Sequence, residues 1–403
     1  MYAGFLNNKV ILIISPQSWG NMLLAKHHYA IELAKRGNEV YYLNPPDNYH
    51  WSSTRGEKRI KIEQSKDYPN LFFINQKLYF PYRLKFHSRK LYNRLVKKQI
   101  RDILRVIPKE VDLLWSFDLG NLFPLSFFGN KSFKIFHPVD EPADEIAIIA
   151  ARGADILFSV TTEILEKYKK FKIPSYFVNH GLPEEFIISE QQAGSSGTTI
   201  KIGMSGNLLR SDLDRKILLQ IIRENPDHDF HFFGSYKFSQ SNIGASSDKQ
   251  TVRFIEALKS FPRVVLHGVL KTTDLAKELN RMDVLLICYD IQLDQSKGTN
   301  YHKVMEYLST GKVIVSNNIT TYREYPGLIR MISDRRNNES LPVFFRETVT
   351  NLDRWNAEDL INERKSFAGN NIYYMQLDKI DQHIRELLIE NRYILRNEMI
   401  PET

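Results

Sequence analysis

One cysteine occurs in 403 residues, Cys288. A single thiol excludes an internal disulfide and fits a reducing compartment. It lies within the run DVLLICY, Asp283 to Tyr289, where it reads as a small buried hydrophobe. No apolar run approaches the roughly 18 residues that cross a bilayer. Near the start, five consecutive apolar residues, Val10 to Ile14, precede Ser15-Pro16 without a basic stretch before them, which excludes a signal-peptide reading. The first strand-to-helix loop holds a lone Gly20 instead of GxGxxG, arguing against an NAD or FAD site. There is no His/Cys/Glu set at metal-ligand spacing, so neither cofactor nor metal is expected. These absences together predict a cytoplasmic protein.

What is present suits a folded chain. Hydrophobic residues make up 42% and charged residues 25%, a globular balance. The length exceeds one typical core and suits two domains. The net charge of +8 is unevenly spread. Residues 82–105 carry nine Lys or Arg against one Asp, with Leu91, Leu95, Ile100, Ile103 and Leu104 at roughly helical spacing. Three readings compete for this stretch: a solvated helix face, a nucleic-acid patch, or a surface resting on anionic lipid. No zinc-finger or RNA-recognition signature supports nucleic acid as a partner.

The pattern along the chain is strand and helix in alternation. Val10 to Ser15 is a continuous apolar strand of the kind parallel sheets bury on both faces. A helix to about Arg36 follows, ended by Gly37, and Glu39 to Leu43 is the next strand. Further strands are expected at Asn70 to Asn75, Val111 to Phe117 and Ser132 to Phe136. Ligands in open parallel sheets sit beyond the carboxyl ends of strands, where Asp118, His137 and Asp140 fall. Each could equally cap a helix or fix a turn. QQAGSSGTT, Gln191 to Thr199, reads as a linker. The alternation then restarts at Ile200, with a polar loop expected at 239–252. A helix is expected over Met375 to Met399. The expected organisation is a first domain at 1–182, a second at 196–370 and a terminal helix at 371–403, in an α/β fold of two doubly wound domains.

The most informative stretch runs from Ser296 to Asn317: polar loop, short helix, Gly311, then Val313-Ile314-Val315. Lys303 and Glu306 lie three apart, on one face near the helix start. They could hold a phosphate and a sugar hydroxyl, or form an exposed i,i+3 ion pair.

HKVMEYLSTGKVIVSNN, from His302, resembles the donor-site segment of GT-B glycosyltransferases close to family 4 (glycosyltransferase group 1). FKIFHPVDEP, ARGADILFSVTTEILEKYKK and SYFVNHGLPEEF resemble the rest of that family's first domain. The resemblance implies two Rossmann-like domains facing across a cleft, with a C-terminal helix crossing back to the first. It implies transfer of a sugar from a nucleotide-sugar to a glycan or lipid-linked acceptor, with retention of configuration and without a metal, in cell-surface polysaccharide synthesis. By similarity Glu306 would receive ribose hydroxyls. Gly206, Arg210 and Lys303 would meet the donor phosphates, with Gly20 nearby and Tyr289 lining the pocket. His137 and Asp140 would stand on the acceptor side. The basic 82–105 segment would let the enzyme rest on a membrane carrying its acceptor. The sequence departs from the family at Gly298, where many members have a second glutamate. It departs again after Gly206, where Ser211 to Lys216 replaces a Lys-Gly pair and Arg215 or Lys216 could substitute. A nucleotide-sugar epimerase of the same fold and a non-catalytic nucleotide-sugar-binding protein are the alternatives.

Overall fold

The computed structural model describes residues 4–20, 23–47, 59–188, 199–238 and 248–398, leaving aside the side chains of 391–398. Residues 191–198 of the expected linker and 239–247 of the expected polar loop lie outside the described residues. The chain forms two compact units, Met1–Asn179 with Tyr373–Thr403, and His180–Ile372.

The first unit contains β1 (Val10–Ile14), α1 (Ala25–Lys35), β2 (Glu39–Leu43), β3 (Ile60–Gln64), β4 (Leu71–Gln76), α2 (Leu84–His87), α3 (Arg89–Val106), β5 (Leu113–Ser116), β6 (Phe133–Phe136), α4 (Glu145–Ile149), β7 (Ile156–Ser159), α5 (Thr162–Tyr168) and β8 (Ser175–Phe177). The sheet order is β3-β4-β2-β1-β5-β6-β7-β8. Every pairing is parallel except β3 with β4. Residues alternate across a strand, and β1 divides accordingly. Val10, Leu12 and Ile14 join one core with Tyr92, Val96, Ile100 and Ile103 of α3. Ile11 and Ile13 join another with Tyr29, Ala30 and Leu33 of α1. The buried stripe of α3 is therefore Tyr92-Val96-Ile100-Ile103, and Leu91, expected on the apolar face, is 43% exposed. The edge strand β3, reading IKIEQ, was not anticipated, because its half-polar sequence gives little apolar signal.

The last helix, α14 (Tyr373–Glu398), completes this first unit. Leu377, Ile380 and Ile384 enter the core shared with α1. Leu6 N–H donates to Asp381 Oδ1 at 2.6 Å, and Arg36 pairs with Asp378 at 2.8 Å.

The second unit contains α6 (Glu185–Ile188), β9 (Lys201–Ser205), α7 (Arg215–Glu224), β10 (Asp229–Phe233), α8 (Lys249–Ser260), β11 (Val264–Gly268), α9 (Thr272–Asn280), β12 (Val284–Ile287), α10 (Lys303–Ser309), β13 (Val313–Ser316), β14 (Arg330–Met331), α11 (Leu341–Thr350), α12 (Leu352–Trp355) and α13 (Glu358–Gly369). Its sheet is parallel throughout, in the order β11-β10-β9-β12-β13-β14. The expected loop at 239–252 is shorter than the sequence suggested. Asp248 caps α8 by accepting from Thr251 N–H, so the helix begins within that polar stretch.

A buried arginine ties α13 to the end of α10. Arg364 donates to Gly311 O at 3.0 Å and to Gly327 O at 3.1 Å. Burial pulls its pKa down to about 10. Arg364→Met leaves these carbonyls without their donor, and an unmade buried hydrogen bond costs about 1–3 kcal/mol each. Urea unfolding should show a loss of roughly 2–4 kcal/mol confined to the transition of the second unit.

Candidate functional site

The second unit gathers its polar side chains at the carboxyl ends of β9, β12 and β13, with α10 crossing above them. Lys303, in the first turn of α10, is only 4% exposed. Its ammonium donates to Ser205 O at 2.5 Å and to Tyr289 Oη at 2.6 Å. Burial lowers its pKa, against the pull of Tyr307 and Glu306. Four residues on, the Tyr307 hydroxyl accepts from Ser205 N–H at 2.6 Å. Both residues thus fasten α10 to the end of β9. Gly206, next in the chain, has φ +135°, and an added Cβ would stand 2.6 Å from Lys303 Nζ. Only glycine suits such a backbone beside a pinned ammonium.

Glu306 lies one turn after Lys303 but does not pair with it. Lys303 turns toward Ser205 and Tyr289, so the i,i+3 ion pair that spacing allows is not formed. Among the described residues the partly exposed Glu306 carboxylate has no hydrogen-bond or ion partner. Burial raises its pKa to about 7, with Lys303 pulling the other way. A half-buried, unbonded carboxylate beside an ammonium is a poised acceptor for ligand hydroxyls.

Around this pair the loops are tied by side chains. Asn317 Oδ1 accepts from Tyr289 N–H at 3.0 Å, and Asn338 Nδ2 donates to Tyr289 O at 2.8 Å. Tyr289 itself is buried, its ring 4.9 Å from that of Tyr301. Asp294 accepts from Gly298 N–H at 2.9 Å and from the Tyr301 hydroxyl at 2.7 Å. Gly298 has φ +64°, and a Cβ there would approach Asn318 O to 2.7 Å. The loop therefore excludes a glutamate at this position as it is folded. Asn317 and Asn338 escaped the sequence reading because their partners lie on other loops, which spacing does not reveal, whereas Asp294 bonds within its own loop.

Arg210 differs from expectation. Its guanidinium is engaged by Asp212, with Nε 2.8 Å from Oδ1, and that carboxylate holds its pKa above the ordinary range. Arg215 is likewise occupied, donating to Arg210 O at 3.0 Å and Thr251 Oγ1 at 2.8 Å. Lys216 is exposed. Of the expected second-unit residues, Gly206, Tyr289, Lys303 and Glu306 form one constellation, while Arg210 is half neutralised by its own neighbour.

In the first unit Asp140 is exposed beyond the end of β6. His137 requires a correction. Its ring is wholly buried, packed by Tyr29, Trp115, Phe117 and Phe158, and burial lowers its pKa to about 3. It is a neutral ring of the aromatic core and not an accessible base. Gly20 lies in an exposed loop where an added Cβ meets nothing within 4 Å, so no close approach demands glycine there.

No protein-family model matches the sequence, and no curated protein matches it. Solved structures do. Sucrose-phosphate synthase from Thermosynechococcus elongatus aligns with TM-score 0.68 at 12% identity, over 95% of this chain and 100% of that one. The α,α-trehalose-phosphate synthase (UDP-forming) from Burkholderia vietnamiensis gives 0.66 at 12% identity, over 94% and 96%. Anabaena HepE in complex with UDP and glucose gives 0.62 at 12% identity, over 94% and 99%. These alignments run nearly end to end and include both parallel sheets. The chain has the GT-B fold of the glycosyltransferases.

Proposed function

We propose that the protein is a glycosyltransferase that moves a sugar from a nucleotide-sugar to a hydroxyl of a glycan or lipid-linked acceptor. The observation that carries this reading is the unbonded Glu306 carboxylate beside the pinned Lys303 and the glycine-lined end of β9. Glu306 accepts the ribose hydroxyls. Lys303 and the backbone at Gly206 meet the diphosphate and stabilise the charge it gains on leaving. Side-chain cations take the part that a metal plays elsewhere, so transfer persists in EDTA. Attack by the acceptor hydroxyl on the face of the sugar from which the nucleoside diphosphate departs retains configuration, with Asp140 on the acceptor side. Structural relatives crystallised with UDP support a uridine donor. Cell-surface polysaccharide synthesis is the setting in which such a donor meets a membrane-borne acceptor.

The test is thermal stabilisation by UDP, GDP, ADP and their sugar conjugates, followed by a transfer assay on the donor that binds. A shift with one base and sugar transfer to a hydroxyl acceptor are expected. Interconversion of donors without acceptor would reassign the protein as an epimerase. Binding without turnover would make it a binding protein, and no shift with any nucleotide would remove the reading.

The basic helices suit an anionic bilayer. Lys90, Arg94, Lys97, Lys98 and Arg101 are exposed on α3, where Asp102 is the lone acid and pairs with Arg105. Phe86, 68% exposed, stands beside them at the end of α2. Among the described residues no helix is long and apolar enough to cross a membrane, so contact would be peripheral. Each cation near an anionic surface contributes about 1 kcal/mol, so Lys90→Glu/Arg94→Glu/Lys97→Glu should weaken binding to phosphatidylglycerol vesicles by roughly 100-fold or more. Co-sedimentation at low and high salt measures it.

A further inference from the structure

The Tyr289 hydroxyl is a rigidly held donor whose proton has nothing to receive it. Tyr289 lies just past the end of β12, and two asparagines from other loops fix its backbone. Asn317 Oδ1 accepts from its N–H at 3.0 Å, and Asn338 Nδ2 donates to its carbonyl at 2.8 Å. Its backbone also forms an antiparallel bridge with Leu213, and its ring lies 4.9 Å from that of Tyr301. The phenol is thus aimed before any ligand arrives. A charged ammonium has hydrogens and no lone pair, so in the 2.6 Å contact Lys303 donates and Tyr289 Oη accepts. Among the described residues no group accepts the phenol proton in turn. Burial keeps that proton in place by raising the Tyr289 pKa, against the pull of Arg210.

Lys303 gives a second hydrogen to Ser205 O at 2.5 Å and keeps its third. Gly206 holds the approach to both groups free of a side chain. A Cβ there would stand 2.6 Å from Lys303 Nζ and 3.4 Å from Tyr289 Oη. Two donors therefore face the same side of Gly206, and the phenol oxygen is already accepting. A cation would meet the ammonium and a ligand N–H would find no acceptor, whereas an anionic oxygen accepts from both donors. Hydrogen bonds of this kind strengthen as the oxygen gains charge, and the neighbouring ammonium makes the phenol a better donor.

We propose that the Tyr289 hydroxyl, polarised by Lys303, donates to the sugar-bearing phosphate of the nucleotide-sugar and holds it more tightly as it departs. This rests on the glycosyltransferase reading and adds a catalytic residue to it. The bond between the anomeric carbon and the phosphate oxygen breaks, and its electron pair stays on that oxygen. The acceptor oxygen bonds the anomeric carbon, and its proton is released to water. Tyr289 keeps its own proton throughout, so its part is a hydrogen bond that grows with the charge on the leaving group.

The experiment is calorimetric titration of wild type and Tyr289→Phe with matched pairs: UDP and UDP-glucose, GDP and GDP-mannose, ADP and ADP-glucose. A free diphosphate carries the charge of the departed group, and its sugar conjugate carries less. For the pair that wild type binds, Tyr289→Phe should weaken the diphosphate roughly tenfold and the conjugate less than about threefold. A second protein, with 3-fluorotyrosine in place of Tyr289, keeps the ring, is a stronger donor and should bind the diphosphate more tightly. Equal losses for both ligands would make Tyr289 a merely structural contact. Tighter diphosphate binding in Tyr289→Phe would make it a clamp that withholds Lys303. Either result, or unchanged binding, overturns this inference while leaving the donor reading in place. Should Tyr289→Phe fail to fold, the fluorinated protein decides, and diphosphate binding no tighter than wild type overturns the inference. If wild type binds no member of any pair, the donor reading itself fails and this inference with it.

Discussion

Glu306→Gln should lower nucleotide-sugar affinity by roughly 100-fold or more while leaving the fold intact. Hydrogen bonds to a charged group contribute about 1.5–3 kcal/mol each, and a ribose offers two hydroxyls. The amide keeps the shape but accepts more weakly and presents an N–H where a donor is unwanted. Because burial raises the Glu306 pKa to about 7, the wild-type site should also respond to pH. The ionised carboxylate binds hydroxyls, so affinity should rise as pH increases through about 7 and level off above it. The free protein behaves oppositely. A carboxyl whose pKa is higher folded than unfolded holds more protons in the folded state, so its ionisation costs stability as pH rises through the interval between the two values. Calorimetric titration with UDP across pH 5.5–8.5, a range of about three units around neutrality, distinguishes the two trends. In Glu306→Gln both should flatten. A mutant that keeps wild-type affinity and pH dependence would remove Glu306 from the donor site.

The second large effect is expected at a residue that touches no ligand. Gly234, just past β10, has φ +141°, and an added Cβ would lie 1.9 Å from Gly206 O. Its N–H donates to Gly268 O at 2.7 Å, while Gly206 N–H donates to Phe233 O at 2.8 Å. Two glycines therefore let adjacent strand ends close on each other under the Lys303 ammonium. Gly234→Ala adds both backbone strain and a collision with backbone, which cannot swing aside. A cost of about 2–4 kcal/mol is expected. Denaturant unfolding should show it in the second unit, and UDP binding should weaken because Gly206 is pushed toward Lys303. Gly20→Ala is the control: its surroundings are open, and neither stability nor binding should move by more than a few tenths of a kcal/mol.

How far the sequence could carry these conclusions depended on the range of the interaction. The strands VILII, VLLI and VIVS were legible because they bury both faces and read as unbroken apolar runs. Lys303 and Glu306 were legible as neighbours on one helical turn. Their states were not, since Lys303 is claimed by Ser205, 98 residues away. Arg210 looked free until Asp212, two residues on, proved to hold it. His137 looked accessible from its place after a strand, but four aromatic rings from distant parts of the chain enclose it. The short strand β3 and the helices α12 and α13 carried mixed polarity and no side-chain caps.

The return of α14 to the first unit also bears on the order in which the molecule is made. Leu6 and Asp381 are 375 residues apart, and the core beside β1 includes Leu377, Ile380 and Ile384. On the ribosome, the N-terminal sheet emerges first but has only α1 over that face until Tyr373 to Glu398 has been translated. The second unit, contiguous from His180 to Ile372, has everything it needs earlier. Domains usually fold in order of synthesis. Here the later segment should finish first, and a nascent chain released before α14 should expose the α1 side of its sheet to chaperones and proteases.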